Sequence, residues 1–245
     1  MIVPNGDTLP PQRIFFLVKF LSAERVEGLL RGRLYAKRLS SFKQSEDRTS
    51  AGRLDRYEGT SSWMQPGSHH LELNGWNMTP DLAGPTQIQP DWFNHLNVFC
   101  LHAVHADGLG LDRAVGGDVE DLQQRLMIPE RCFELGEHAV VITDVPEFMR
   151  RFGTALKTHR YRGWSHLVRY YDPSIFHGHF EGIDAVFRKR SEYSYQREYR
   201  FAIDTGTTDD AALHLDIGDI RDITKRFRSE ELNGEQFLGG TIQVE

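Results

Sequence analysis

The densest grouping of residues able to do chemistry is Tyr193-Ser-Tyr-Gln-Arg-Glu-Tyr-Arg-Phe-Ala-Ile203. In an extended chain alternate side chains face opposite ways, so Gln196, Glu198 and Arg200 share one side while Arg197, Tyr199 and Phe201 take the other. A polar row at the start of an apolar strand is costly to bury unless its members are paired, so it marks either a solvated edge or a site. Asp55, Tyr57 and Glu58 form a second polar group, able to contact a substrate or to cap a turn. His177-Gly178-His179, close to Asp172 and downstream of His166, offers ligands to a metal ion, but no cysteine or carboxylate stands at a set spacing beside the pair. These histidines, like His69-His70 and the alternating His102 and His105, therefore read as ordinary polar residues. Cys100 and Cys132 sit in apolar sequence without metal-ligand spacing, as buried free thiols do.

The elements that must position these groups can be read from hydrophobic pattern. Ile14-Phe-Phe-Leu-Val-Lys-Phe20 has the near-continuous apolar run of a strand buried on both faces. Ser22 then offers a helix cap, Val26, Leu29 and Leu30 share a helical face, Gly32 can end the helix, and Arg33 to Lys37 reads as a second strand. From Ser40 to about Leu96 periodicity is lost, and only a short strand near His70–Leu73 is expected in that long insertion. Further strands are predicted over 97–104, 139–143, 164–171, 195–203, 213–217 and 241–244. A helix is predicted over 118–126, and a second follows Asp144, with Glu147 at the capping-box position and Val145, Phe148, Phe152 and Leu156 at helical spacing. Residues 219–227 read as a polar helix or turn.

These elements fit one domain over 1–245, since 245 residues lie within what a single mixed α+β unit can fill. No apolar run approaches the ~18 residues of a spanning helix, and the N-terminal stretch lacks the basic and apolar parts of a signal peptide, so a cytoplasmic protein is expected. The net charge of −6 creates no general field for nucleic acid. The basic clusters Arg150-Arg151, Lys157 to Arg162 and Arg188-Lys189-Arg190 read as a solvated face rather than a nucleic-acid groove.

Gln196-Arg-Glu198, with Tyr193 to Tyr195 as the preceding turn, resembles the Gln-x-Glu signature that begins the last catalytic strand of many ADP-ribosyltransferases. That family opens with a strand carrying Arg or His that holds NAD, then a helix, then a strand with Ser, Thr or Tyr beside nicotinamide. The corresponding residues here are Lys19, the helix Ser22 to Arg31, Tyr35, and Ser40 and Ser41 beyond; Thr60-Ser61-Ser62 is loosely similar to the Ser-Thr-Ser element of one branch. Lys19 departs from the Arg or His of the family. Most of the chain also resembles a group of uncharacterised bacterial and prophage proteins, through Leu34-Tyr35, Ser41-Phe42, Arg53 to Gly59 and Gln196 to Arg200.

The resemblance implies an α+β fold in which two small, mostly antiparallel sheets form a cleft with helices packed outside. NAD, as substrate, would lie across the cleft, held by Lys19, Tyr35, Ser40 and Tyr57. Glu198 would stabilise the positive charge that develops on the ribose as nicotinamide leaves, with Gln196 and Arg200 beside the acceptor. The acceptor would be a protein or a nucleic acid, and a phage- or defence-associated toxin is the natural setting. Two alternatives stand beside this one: a catalytically inactive binding protein of phage–host conflict, and a metal-dependent nuclease using Asp172, His177 and His179.

Overall fold

The computed structural model describes residues 14–43, 55–105 and 126–234. In chain order the strands are β1 Ile14–Leu21, β2 Arg33–Arg38, β3 Ser62–Met64, β4 Glu72–Leu73, β5 Trp76–Asn77, β6 Thr86–Ile88, β7 Asn97–His105 and β8 His138–Ile142. They continue with β9 Arg162–Leu167, β10 Arg169–Tyr171, β11 Gly178–His179, β12 Arg188–Arg190, β13 Glu198–Asp204, β14 Leu213–Asp216 and β15 Thr224–Arg228. The helices are α1 Ala23–Leu30 and α2 Val145–His159, joined by several short 3-10 turns. The expected helix over 118–126 falls almost wholly, and the strand over 241–244 wholly, outside the described residues.

The architecture is mixed α+β and mostly antiparallel. One eight-stranded sheet carries β14, β2, β7, β1, β8 and β15 in that order, with β13 on β7 and β9 on β13. Three small sheets, β10–β12, β11–β3–β6 and β4–β5, flank it. The two small sheets expected to form the cleft are instead parts of one larger sheet, which splits where β1 and β2 diverge from β7.

On one face of that sheet, alternate apolar residues of β1, β7, β8 and β13 pack beneath the two helices. Phe201 is fully buried there, with ring centroids 4.6 Å from Phe152 and 5.9 Å from Phe148. α2 starts where expected: Asp144 accepts the Glu147 N–H at 2.9 Å, and Val145, Phe148, Phe152, Ala155 and Leu156 form its buried stripe. Gly32 ends α1 with φ 78°, and a Cβ there would lie 1.8 Å from the Gly218 carbonyl oxygen, so only glycine lets the α1–β2 turn pack against that loop.

Several boundaries differ from the sequence expectation. The 164–171 run is two strands, because it pairs with β13 as far as Val168, whose N–H reaches the Glu198 carbonyl at 2.8 Å, and then with β12 from Arg169 to Tyr171. The 219–227 segment is a 3-10 turn and then β15, since Ile220 and Ile223 are buried and the following residues pair along β8. The described part of the insertion holds four short strands rather than one, including a hairpin whose Asn74-Gly75 turn has φ 51° and 81°. No helix among the described residues is long and apolar enough to cross a membrane.

Candidate active site in the split of the sheet

β13 occupies one edge of β7 from Asn97 to His102. On the other edge β1 pairs with β7 from His105 back to His102, ending at Val18, and β2 pairs only at Lys37–Val98 and Arg38–Asn97. Phe99, Cys100 and Leu101 are left without a strand on that side, and a cleft of about 910 Å³ opens there. Directly opposed residues of antiparallel strands share a face. Lys37 with Val98, Arg200 with Cys100, Glu198 with His102, and Tyr35 with His214 therefore lie on one face, which forms the floor and outer wall of the cleft.

Four buried charges meet at the floor. Arg200 donates from Nε to Glu198 Oε1 at 2.6 Å, from Nη1 to Glu58 Oε2 at 2.7 Å and Val186 O at 2.6 Å, and from Nη2 to Glu58 Oε1 at 3.0 Å. Lys189 Nζ donates to Gln196 Oε1 at 2.9 Å and lies 3.2 Å from Glu58 and 3.5 Å from Glu198. Two cations and two carboxylates balance, which is what lets them leave water. Burial by itself pushes the Glu198 carboxyl up, but Arg200 and Lys189 outweigh it and hold the group well below the usual carboxylate range. Burial likewise opposes the Lys189 charge, and Glu58 and Glu198 reverse it, so the ammonium is held above its ordinary range. The Glu198 N–H donates to the Tyr170 hydroxyl at 2.9 Å, which fixes the start of β13.

Glu198, Arg200 and Gln196 all line the cleft. β13 is an interior strand paired on both edges, so the polar row is not a solvated edge. Gln196 does not belong to the strand: it ends a 3-10 turn, and Arg197 follows in the left-handed region at φ 39°. It reaches the cluster through Lys189 instead, while its carbonyl accepts the His102 Nδ1–H at 2.8 Å.

The residues expected to hold NAD separate. Lys19 lines the cleft, but its ammonium donates to the Cys100 carbonyl at 2.7 Å and lies 4.5 Å from the Phe99 ring centroid, satisfying the backbone exposed by the split. Tyr35 is exposed on the outer wall, 5.1 Å from the His214 ring. Ser40 and Tyr57 are not part of the wall. Ser40 sits in a turn, accepting the Lys43 N–H at 3.0 Å, and Tyr57 packs at 5.2 Å against Trp63 and 4.4 Å from the Arg190 guanidinium. Asp55 caps its turn, accepting the Tyr57 N–H at 3.0 Å, and pairs with Arg190 at 3.2 Å.

Sequence reasoning missed Lys189, read as part of a solvated basic cluster. Its signal was position: it follows Ala185-Val186-Phe187, an apolar run that continues into buried structure. His102, which the sequence presents as an ordinary polar residue, also belongs to the site. It is buried beside the cleft, burial pushes its imidazole down to about 3, and its Nε2 has no partner. Asp172 instead accepts from the Ser174 N–H at 2.8 Å, and His177 accepts the Gln65 N–H at 3.1 Å. Among the described residues no three His, Cys, Asp or Glu side chains are grouped to hold a metal ion. Both cysteines are free, Cys132 buried and Cys100 half-buried against the cleft. No family model, curated protein or solved structure matches this chain.

Proposed function

We propose that the chain is an ADP-ribosyltransferase-like enzyme that takes NAD as its substrate in the split of the sheet and transfers ADP-ribose to a macromolecular acceptor. The observation that carries this reading is an ionised carboxylate, Glu198, at the floor of a cleft of about 910 Å³. That volume lies near the top of the ~300–1,000 Å³ range of small-molecule sites and suits a dinucleotide. Glu198 Oε1 is occupied by Arg200, whereas Oε2 lies 3.5 Å from Lys189, and the Cys100 thiol also bonds the carboxylate. Oε2 is thus the atom for the ribose: its charge stabilises the oxocarbenium-like centre as the glycosidic bond to nicotinamide breaks, and it orients the adjacent hydroxyl. Arg200 fixes the carboxylate, and Gln196 lies on the acceptor side. The acceptor, a protein or a nucleic acid, and a phage- or defence-associated toxin role belong to the same proposal.

A specific observation favours a second reading. Lys19 and Arg200 are both engaged by groups of the chain itself, which suits a binding protein that keeps the cleft without catalysis. Nicotinamide release from NAD by the purified protein, with water, protein or RNA as acceptor, separates the two: release supports the enzyme, and NAD binding without release supports the binding protein.

A further inference from the structure

We propose that the outer wall of the cleft is a nucleoside diphosphate subsite, in which Arg33, Lys37 and Arg25 take the phosphates and Tyr35 stacks on the base. The inference rests on the reading of the cleft as a dinucleotide site and reassigns its anion-holding groups from β1 to β2 and α1.

Along β2 exposure alternates, so Arg33, Tyr35 and Lys37 project from one face while Leu34, Ala36 and Arg38 are buried. Same-face neighbours on a strand are ~6.5–7 Å apart, which brackets one aromatic ring between two cations over ~13 Å. Arg25 adds a third cation from α1, its guanidinium 5.6 Å from the Tyr35 ring, and the His214 ring lies beside Tyr35 at 5.1 Å, tilted 56° to it. All five residues line the cleft. A ring flanked by cations, inside a concavity, has the chemistry that recognises a base attached to phosphates.

Several cations elsewhere on the surface are neutralised within the fold. Arg31 pairs with Glu27, Arg150 and Arg151 with Glu147, Arg162 with Asp204 and Arg228 with Glu230. Arg25, Arg33 and Lys37 form no ion pair among the described residues, so the three cations of this wall remain open to an anion entering the cleft. Of the acids on the wall, Glu24 is hydrogen-bonded to the Ser22 hydroxyl rather than to a cation.

Gly28 supplies an independent observation. It stands inside α1 on the cleft wall, where glycine is a poor helix residue compared with alanine, and a Cβ there would meet no atom within 4 Å. No packing contact among the described residues requires a glycine at this position. Its absence of a side chain keeps the approach to Arg25 and Tyr35 open, as a bound ligand needs.

The test is titration calorimetry of the full chain with ADP, AMP and adenosine. ADP should bind more tightly than AMP, and AMP more tightly than adenosine. Arg33→Gln and Lys37→Gln should each weaken ADP about tenfold, the scale of one charge-assisted hydrogen bond, and leave adenosine unchanged. Gly28→Leu should block ADP while the unfolding midpoint is unchanged or raised, so a loss of binding there cannot be a loss of fold. The proposal is overturned if ADP does not bind, if the three variants bind it like the wild type, or if these residues serve a single-stranded oligonucleotide while ADP is ignored. ADP has no nicotinamide bond, so its binding should survive Glu198→Gln. ADP binding without NAD turnover would leave the subsite standing and remove the enzyme reading; NAD turnover with unaltered KM in Arg33→Gln and Lys37→Gln would do the reverse.

Discussion

The Arg200 guanidinium holds the Glu58 carboxylate through two hydrogen bonds, 2.7 and 3.0 Å long, across 142 residues of sequence. This fork ties the irregular insertion to the central strand and closes one side of the cleft floor. Both side chains are almost wholly buried, so neither can turn to water if the other is lost.

Glu58→Ala should therefore destabilise the fold by about 3–5 kcal/mol, the scale for breaking a buried pair and leaving an uncompensated charge. Denaturant unfolding monitored by circular dichroism measures it. A loss below about 1 kcal/mol would mean that the pair is solvated in solution.

Phe201→Ala should cost a similar ~3–5 kcal/mol by leaving a cavity beneath α2, because Phe201 is fully buried among Phe99, Phe148, Phe152 and Tyr199. The same unfolding measurement applies. Nucleotide binding should survive at temperatures where the variant remains folded, since the ring points to the face opposite the cleft.

Acid should destabilise the protein through two groups. His102 is kept neutral in the fold, with burial pushing it down to about 3, so the unfolded chain takes up a proton below about 6.5 and the fold does not. Its contribution is complete above about 6.5 and is lost as pH falls toward 3. Glu198 is held below its ordinary value, so its contribution is complete above about 4.5 and is lost as pH falls further. Unfolding free energy measured from pH 8 to pH 3 should fall throughout the lower part of that range. In His102→Asn the fall between pH 6.5 and 4.5 should flatten; an unchanged slope would show that His102 is not buried neutral.

Thiol labelling should be slow at both cysteines. Burial pushes the Cys132 thiol up to about 12, and burial with the neighbouring Glu198 charge does the same for Cys100. Reaction of Cys132 at pH 8 should follow opening of the fold, whereas that of Cys100, half-buried against the cleft, should be slow because little thiolate forms. Rapid labelling of Cys132 would contradict its placement.

The long-range parts of this arrangement were the parts the sequence concealed. Strands with continuous apolar runs, β1, β7 and β8, and the capped helix α2 could be read directly, because their pattern depends on neighbours along the chain. The polar row at Glu198 and Arg200 could be read too, as an anomaly in an apolar strand. Its partners could not: Glu58 lies in a segment without periodicity, and Lys189 sits between two arginines that disguise it as surface. The split that makes the cleft depends on where β1 and β2 each leave β7, and register between distant strands is written in no local pattern. Lys19 shows the consequence, since its side chain is taken by a carbonyl that only the split exposes.

The most direct test of the central claim is nicotinamide release from NAD by the wild type and by Glu198→Gln, each first shown to be folded and to bind ADP. Removing the charge leaves Arg200 and Lys189 undercompensated, so the variant should unfold at a lower temperature yet remain folded under assay conditions. The wild type should release nicotinamide, and Glu198→Gln should do so ~10²–10³-fold more slowly, the loss expected when a preorganised electrostatic group is removed. A folded wild type that releases none with any acceptor, or a Glu198→Gln variant that keeps full activity, would contradict the account.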